Sequence, residues 1–469
     1  MATTRRDFLR TSACALGGVA MASSLSTFGE VQALTPQSAT DYKALVCLFM
    51  NGGNDGNNMF VSLDQYAGYA QARNAASLAI PQANLLPVAP LSGGSYGFHP
   101  SMVEIQNLFN AGRLAVLCNN GPLVEPLSKS TYQNGSGKKP LQLFSHSDQV
   151  GLFQTAIANT VSQTGWAGRV ADKIVGLNGG ATFPSNVSIS GVNLYLTGVD
   201  TRQLAVADSN TSLANVLVLS NAPGASSSDI SSRLASFNEL RTLDHNFKLI
   251  KAGSDTRSSA IQTDNALATV NPVLTTTFPS PSTSISRQLL QVARLIKACT
   301  DPAAGINMKR QIFFVQIGGF DTHSAQLNGH ATLLQQVSRA INAFYNATVE
   351  LGLQDKVTLF TMSDFGRTLQ PAGSGPVAVG SDHAWGNHQL IVGGAVMGRT
   401  LYGTYPTLAL GGPDDTDGGG NPRGRWIPTT SVEQYAATLA TWYGLSPSDL
   451  GAVFPLISRF STPNLGFLG

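Results

Sequence analysis

The stretch Ala44-Leu45-Val46-Cys47-Leu48-Phe49-Met50 runs without a polar break and then passes into Asn51-Gly52-Gly53-Asn54-Asp55-Gly56. A half-exposed strand alternates apolar and polar residues. An unbroken apolar run of this length fits a strand buried on both faces of a parallel sheet. Comparable runs occur at Leu114–Asn119, Ile312–Ile317, Val357–Met362 and Gln389–Val392. Helical spacing lies between them. Ile285–Ala298 repeats Leu289, Val292, Leu295 and Ile296, and Thr332–Leu351 repeats Leu334, Val337, Ile341, Phe344 and Thr348. Val432–Tyr443 is a third helical pattern. This alternation predicts an α/β fold with a doubly wound, mostly parallel sheet. The segment 184–281 is rich in Ser, Thr, Asn and Ala and reads as a loop-rich cap or insertion on the domain 34–469.

Composition removes several alternatives. The 469 residues carry 29 Lys+Arg against 27 Asp+Glu, a formal charge of +2, which offers no field for nucleic acid. Charged residues are only 12%, against about 25% in a typical soluble domain. The 42% hydrophobic content excludes a disordered chain. Four cysteines in this length exclude a disulfide scaffold, and no Cys-x-x-Cys pair suggests a thiolate metal site. Cys47 and Cys118 lie in apolar runs and read as buried free thiols.

The N-terminus reads Thr4-Arg5-Arg6-Asp7-Phe8-Leu9-Arg10, followed by a Gly/Ala-rich apolar stretch and Val31-Gln32-Ala33. Paired arginines, an apolar stretch and small residues before a cut site predict a twin-arginine export signal over residues 1–33. The expected destination is the periplasm or the exterior, and no run beyond the signal suggests a membrane span.

Ligands in open α/β sheets bind beyond the carboxyl ends of the strands. Here Asp55 follows the first run, Asp321 and His323 the third, and Asp364 and Arg367 the fourth. Asp382, His383 and His388 precede the last run, and His330 lies in the same half of the chain. Imidazole and carboxylate together are the ligand set of zinc, manganese or iron. A dication between such groups would offset their mutual repulsion and lower the pKa of a coordinated hydroxyl. The loop Gly411–Gly424, with Asp414, Asp415 and Asp417, is a separate candidate for calcium.

With these motifs the chain resembles the domain-of-unknown-function family 1501, exported proteins similar to the alkaline phosphatase and sulfatase superfamily. The resemblance rests on Phe49–Asn58, Gly319-Phe320-Asp321-Thr322-His323, Ser363–Thr368, Asp382-His383 and Gly386-Asn387-His388-Gln389. It implies two metals at the sheet edge. Asp55 matches the carboxylate after the first strand, and Asp321 a second, with His323 or His330 as its partner. His388 matches the final histidine. The family's Asp-His pair departs here, since Asp364 is followed by Phe365. His383, next to Asp382, is the expected replacement. The resemblance further implies a hydroxyl nucleophile at a helix N-terminus, for which Ser145 is the choice and Ser147 the second. Ser145 with Asp148 also reads simply as a helix cap. His146, Arg169 and Arg367 are the expected contacts to anionic substrate oxygens, with an Arg367–Asp364 ion pair as the alternative. His99 either contacts the site or caps a helix, and His245 is unassigned. Formylglycine chemistry is disfavoured, because Cys/Ser-x-Pro-x-Arg does not occur.

The function expected is an exported metal-dependent hydrolase of phosphate or sulfate esters. The competing reading is a non-catalytic binding module that keeps the fold and engages a glycan or an exported protein partner. A Ser-His-Asp hydrolase lacks its Gly-x-Ser-x-Gly elbow. A dinucleotide site lacks the Gly-x-Gly-x-x-Gly spacing.

Overall fold

Every side chain of Ala44–Met50 is fully buried, and alternate residues enter two different cores. Ala44, Val46, Leu48 and Met50 join one cluster, and Leu45, Cys47 and Phe49 join the other. The strand is therefore sandwiched between helical layers, which is why its sequence shows no polar alternation. The computed structural model describes residues 42–74, 78–181, 183–212, 272–280, 282–372 and 379–469, with single positions between 226 and 251. The expected signal, His245 and most of the stretch 213–271 lie outside the described residues.

Twelve strands occur among the described residues. They are β1 Lys43–Met50, β2 Phe60–Ser62, β3 Leu86–Val88, β4 Tyr96–Phe98, β5 Leu114–Gly121 and β6 Asn186–Ser188. The rest are β7 Gln203–Ala205, β8 Arg310–Ile317, β9 Val357–Ser363, β10 Asn387–Val392, β11 Leu401–Tyr402 and β12 Thr430–Ser431. The longer helices are α1 Tyr66–Asn74, α2 Val103–Asn110, α3 His146–Thr155, α4 Trp166–Ile174, α5 Ser284–Thr300, α6 Gln326–Glu350 and α7 Val432–Tyr443. Helices α2, α5 and α6 cover one face of the large sheet, and α3, α4 and α7 the other.

The large sheet runs β11-β5-β10-β9-β1-β8-β6-β7, with β12 beside β5. It is mixed but mostly parallel. Strand β10 pairs antiparallel with both β5 and β9, and the other pairings are parallel. All five apolar runs are strands, but an apolar run carries no direction, so the reversal of β10 is a structural finding. The reversal has a positional consequence: the start of β10 lies at the same edge as the ends of β1, β5, β8 and β9. The segment expected as an insertion contributes β6 and β7 to the sheet. Helix α6 starts at Gln326, earlier than its apolar pattern, and so includes His330. Cys47, Cys118 and Cys299 are free and buried.

Register fixes which turns meet. Met50 pairs with Ile317 of β8 and with Ser363 of β9, so the turns after all three strands lie side by side.

Helix α7 starts with a capping box, Ser431 and Gln434 each accepting the other's backbone N–H. Glu433 in its first turn is 2% exposed. Its Oε1 accepts the Leu456 N–H at 3.2 Å, and Oε2 has no hydrogen-bond partner among the described residues. Burial pushes this carboxyl up to about 8, against the pull of that bond and of Arg169. Folding is thus unpenalised below the ordinary carboxylate range and loses stability as pH rises through about 8. Glu433→Gln should flatten this decline and raise Tm at pH 9 by roughly 2–5 °C, measured by calorimetry from pH 5 to 9.

Candidate metal centre at the sheet edge

The turn after β1 is built from residues that only glycine can replace. Gly52 has φ +115°, and a Cβ there would lie 2.4 Å from the Asp321 nitrogen. Gly53 has φ +83°, and its Cβ would lie 2.4 Å from the Phe365 ring. Both amides point at one carboxylate. Asp364 Oδ1 accepts from Gly52 N at 2.9 Å and from Gly53 N at 2.7 Å. The Asp364 carboxylate is wholly buried, and its Oδ2 meets His146 Nδ1 at 2.6 Å.

That contact sets the tautomer of His146, the first residue of α3. Nδ1–H donates to Asp364, and in the neutral ring Nε2 then carries the lone pair. This Nε2 is buried and has no hydrogen-bond partner among the described residues. It lies 3.4 Å from Asp321 Oδ1. His383 repeats the pattern. Its Nδ1 donates to the Phe144 carbonyl at 2.8 Å, and its Nε2 lies 3.3 Å from Asp321 Oδ1. One ligand atom each from His146, Asp321 and His383 lies within 4.8 Å of the others. His323 approaches from the outer side, with Nε2 3.0 Å from both Asp321 Oδ1 and His383 Nε2. Ligands of a tetrahedral zinc at ~2.0–2.1 Å stand ~3.3 Å apart, close to these separations. Imidazoles oriented by a carboxylate or carbonyl on the far nitrogen are the usual surroundings of a bound metal. The residues present therefore fit a dication.

The charge state follows from neighbours. The hydrogen bond that Nδ1–H donates to Asp364 raises the His146 pKa against desolvation, aided by the charge of Asp364 and Asp321. Burial lowers that of His383. Burial would raise Asp321, but Arg367, hydrogen-bonded to it, and His323 bring it down to about 2.

Several expected roles need correction. Arg367 is wholly buried and spends its donors inside the protein. Nε bonds the Gly53 carbonyl at 3.0 Å, Nη1 the Ser381 carbonyl at 2.9 Å and Nη2 the Gly52 carbonyl at 2.5 Å, while Nη2 also pairs with Asp321. It is a strut between turns, not a substrate contact, and its carboxylate partner is not Asp364. Arg169 likewise binds the carbonyls of Val453, Thr164 and Thr155. The His146 side chain is 32% exposed and turns Nε2 toward the metal-competent group.

Asp55 does not join the group. It is fully buried, with Arg73 Nη1 at 2.6 Å from Oδ2, Arg73 Nη2 at 2.9 Å from Oδ1 and Gln326 Nε2 at 2.5 Å from Oδ2. His330 and His388 are also buried elsewhere. His330 Nε2 contacts Asn54 Oδ1 at 2.9 Å, and His388 Nδ1 accepts the Asn119 N–H at 3.2 Å beside the Tyr405 ring. Burial holds both imidazoles near pKa 3, hence neutral. His99 Nδ1 accepts the Ser101 N–H, stabilising the turn before α2. Asp382 pairs with Arg423 and lies 3.3 Å from His323, one step behind the group. The acidic loop is no calcium cage. Asp415 accepts the amides of Gly411, Asp417, Gly424 and Arg425. Asp414 accepts that of Thr407, and Asp417 that of Arg423.

Ser145 occupies the N-cap position of α3 without a capping bond from its side chain. Its hydroxyl instead donates to Asp148 Oδ2 at 2.6 Å, and Ser147 Oγ lies 3.3 Å away. Residues that sequence reasoning missed are Arg73, Gln326, Arg423 and Arg425. Their signal is absent locally, because each acts on a partner distant in sequence or through backbone.

Fold and site define a mixed α/β protein with a metal-competent histidine–carboxylate group at the strand-end edge of a mostly parallel sheet. The chain belongs to the family described as "Protein of unknown function (DUF1501)", whose profile matches residues 42–415. No curated protein sequence matches it. Among solved structures it is similar to Ps i-CgsB in complex with k-i-k-neocarrahexaose, at 11% identity over 90% of this chain and 77% of that chain, TM-score 0.35. It is also similar to the PsFucS1 sulfatase from Pseudoalteromonas sp., at 10% identity over 77% and 64%, TM-score 0.28. A third is the zinc complex of the C-terminal periplasmic domain of EcEptC from Escherichia coli, at 8% identity over 76% and 74%, TM-score 0.30.

Arg73→Leu should cost about 3–5 kcal/mol in urea unfolding, because it strands the buried Asp55 charge. Adding Asp55→Asn should recover much of that loss. Asp364→Asn should weaken zinc affinity ~10–100-fold in competition with a chromophoric chelator, through loss of His146 orientation.

Proposed function

We propose that this protein is an exported metal-dependent hydrolase of phosphate or sulfate esters. The observation that carries the reading is the buried, unpartnered His146 Nε2, held by Asp364 to face Asp321 and His383. His146, Asp321 and His383 would hold the ion, with His323 as a further ligand. A dication there supplies Lewis acidity toward an ester oxygen.

The chain's own groups do the remaining work. Ser145 is the nucleophile, and Asp148 accepts its hydroxyl proton at 2.6 Å. The Ser145 oxygen bonds to phosphorus or sulfur as the bond to the ester oxygen breaks; the departing oxygen takes a proton from water, and the hydroxide left behind recovers the proton held by Asp148. Water then cleaves the seryl ester and restores the hydroxyl. The first amides of α3 favour an anion at this end of the helix. Phe365 lies 4.6 Å from the His146 ring and 4.5 Å from that of His383, shielding their inner faces from water.

One observation favours a second reading, a non-catalytic binding module. Arg367 already pairs with Asp321 and supplies a cation beside it. Elemental analysis of the exported protein separates the two. The hydrolase reading expects about one zinc or manganese per chain, lost in Asp321→Ala and His383→Ala. It also expects 4-nitrophenyl phosphate or sulfate turnover to fall on the order of 10³-fold in Asp321→Ala. Substoichiometric metal in the unmodified protein, with turnover indifferent to Asp321, leaves the binding module.

A further inference from the structure

A shallow polar groove of about 710 Å³, largely open to solvent, lies beside the candidate metal centre. Lys139, Arg423 and Arg425 line it together with one acid, Asp417, and the polar side chains of Gln133 and Asn421. The groove is joined to the centre by direct contacts. Arg425 Nε donates to the His383 carbonyl at 3.1 Å, and its guanidinium sits 4.9 Å over the Phe144 ring. Phe144 in turn accepts the His383 Nδ1 proton. Arg423 pairs with Asp382, which lies 3.3 Å from His323.

The positive charge in the groove is only partly balanced. Asp382 takes one nitrogen of Arg423. Asp417 meets Arg425 Nη1 at 3.3 Å, leaving Nη2 without a hydrogen-bond partner among the described residues. Lys139 is exposed and has no carboxylate partner among the described residues, its ammonium lying 4.1 Å over the Tyr132 ring. Such a surface offers charged donors to an anion and amide groups to hydroxyls. Nucleic acid fits less well. It needs stacking platforms, and the face of Tyr132 is already covered by Lys139.

We infer that this groove holds the flanking units of an anionic carbohydrate chain whose ester is presented to His146, Asp321 and His383. The inference rests on the proposed hydrolase reading and deepens it by naming the substrate class. Arg423 and Arg425 hold anionic groups next to the centre, and Lys139 holds one farther out. Gln133 and Asn421 bond to the hydroxyls between them.

The test is binding of a labelled size series of sulfated galactan oligosaccharides to the exported protein, followed by fluorescence anisotropy at low and physiological salt. Controls are a neutral galactan hexasaccharide and a single-stranded oligonucleotide of matched charge. The sulfated hexasaccharide should bind at least ~10-fold tighter than the disaccharide and than both controls. Lys139→Gln should weaken hexasaccharide binding ~10-fold and Lys139→Glu further, with metal content unchanged. Equal affinity for di- and hexasaccharide, equal affinity for either control, or indifference to both Lys139 variants overturns the inference. Metal content and ester turnover are read on the same preparations. A hydrolase that ignores chain length defeats the groove alone, whereas a metal-free protein that binds the hexasaccharide defeats the hydrolase reading alone.

Discussion

The buried carboxylate of Asp364 is the contact on which the candidate centre depends. A lone ionised carboxylate inside a protein is costly, so it must be surrounded by donors. Two come from the consecutive amides of Gly52 and Gly53, and a third from His146 Nδ1. These donors lie about 310 and 218 residues away in sequence. One group thus ties the turn after β1 to the turn after β9 and fixes the ring of α3. Remove its charge and the glycine amides lose an acceptor, while His146 loses the reason to expose Nε2.

Arginine completes the same design. Arg367 gathers the carbonyls of Gly52, Gly53 and Ser381 and ends on Asp321. Arg73 neutralises Asp55 in a fully buried pair. The two guanidiniums divide the acids of this edge into those locked within the protein and those left accessible. Asp55 belongs to the first kind. Asp321, 45% exposed along its side chain, belongs to the second despite its arginine.

The sheet was readable because burial on both faces removes polar alternation, and the five apolar runs all became strands. Direction was not readable, because side-chain chemistry does not record which way β10 runs. At the edge, Asp321, Asp364 and His383 were legible as neighbours from their positions after or before strands. The Asp55 environment was not, since Arg73 sits on α1 with nothing local to mark its partner. The orientation of His146 was hidden for a similar reason. It lies within a helix-start pattern that explains itself, and the Asp364 bond turning its ring comes from a remote turn. Arg367 beside Asp364 suggested a local pair, but the carbonyls of Gly52, Gly53 and Ser381 and the carboxylate of Asp321 claimed it first.

The two glycines of the first turn bear on biosynthesis. Their amides face Asp364, and Gly53 lies so close to the Phe365 ring that a Cβ would not fit. The contacts that hold the turn therefore form only after those late residues have been synthesised. His383 arrives later still. Folding through such long sequence separations is slow. A ribosome-bound fragment ending before residue 383 cannot assemble the ion-holding group, so any ion that it takes is captured only once nearly the whole polypeptide has emerged.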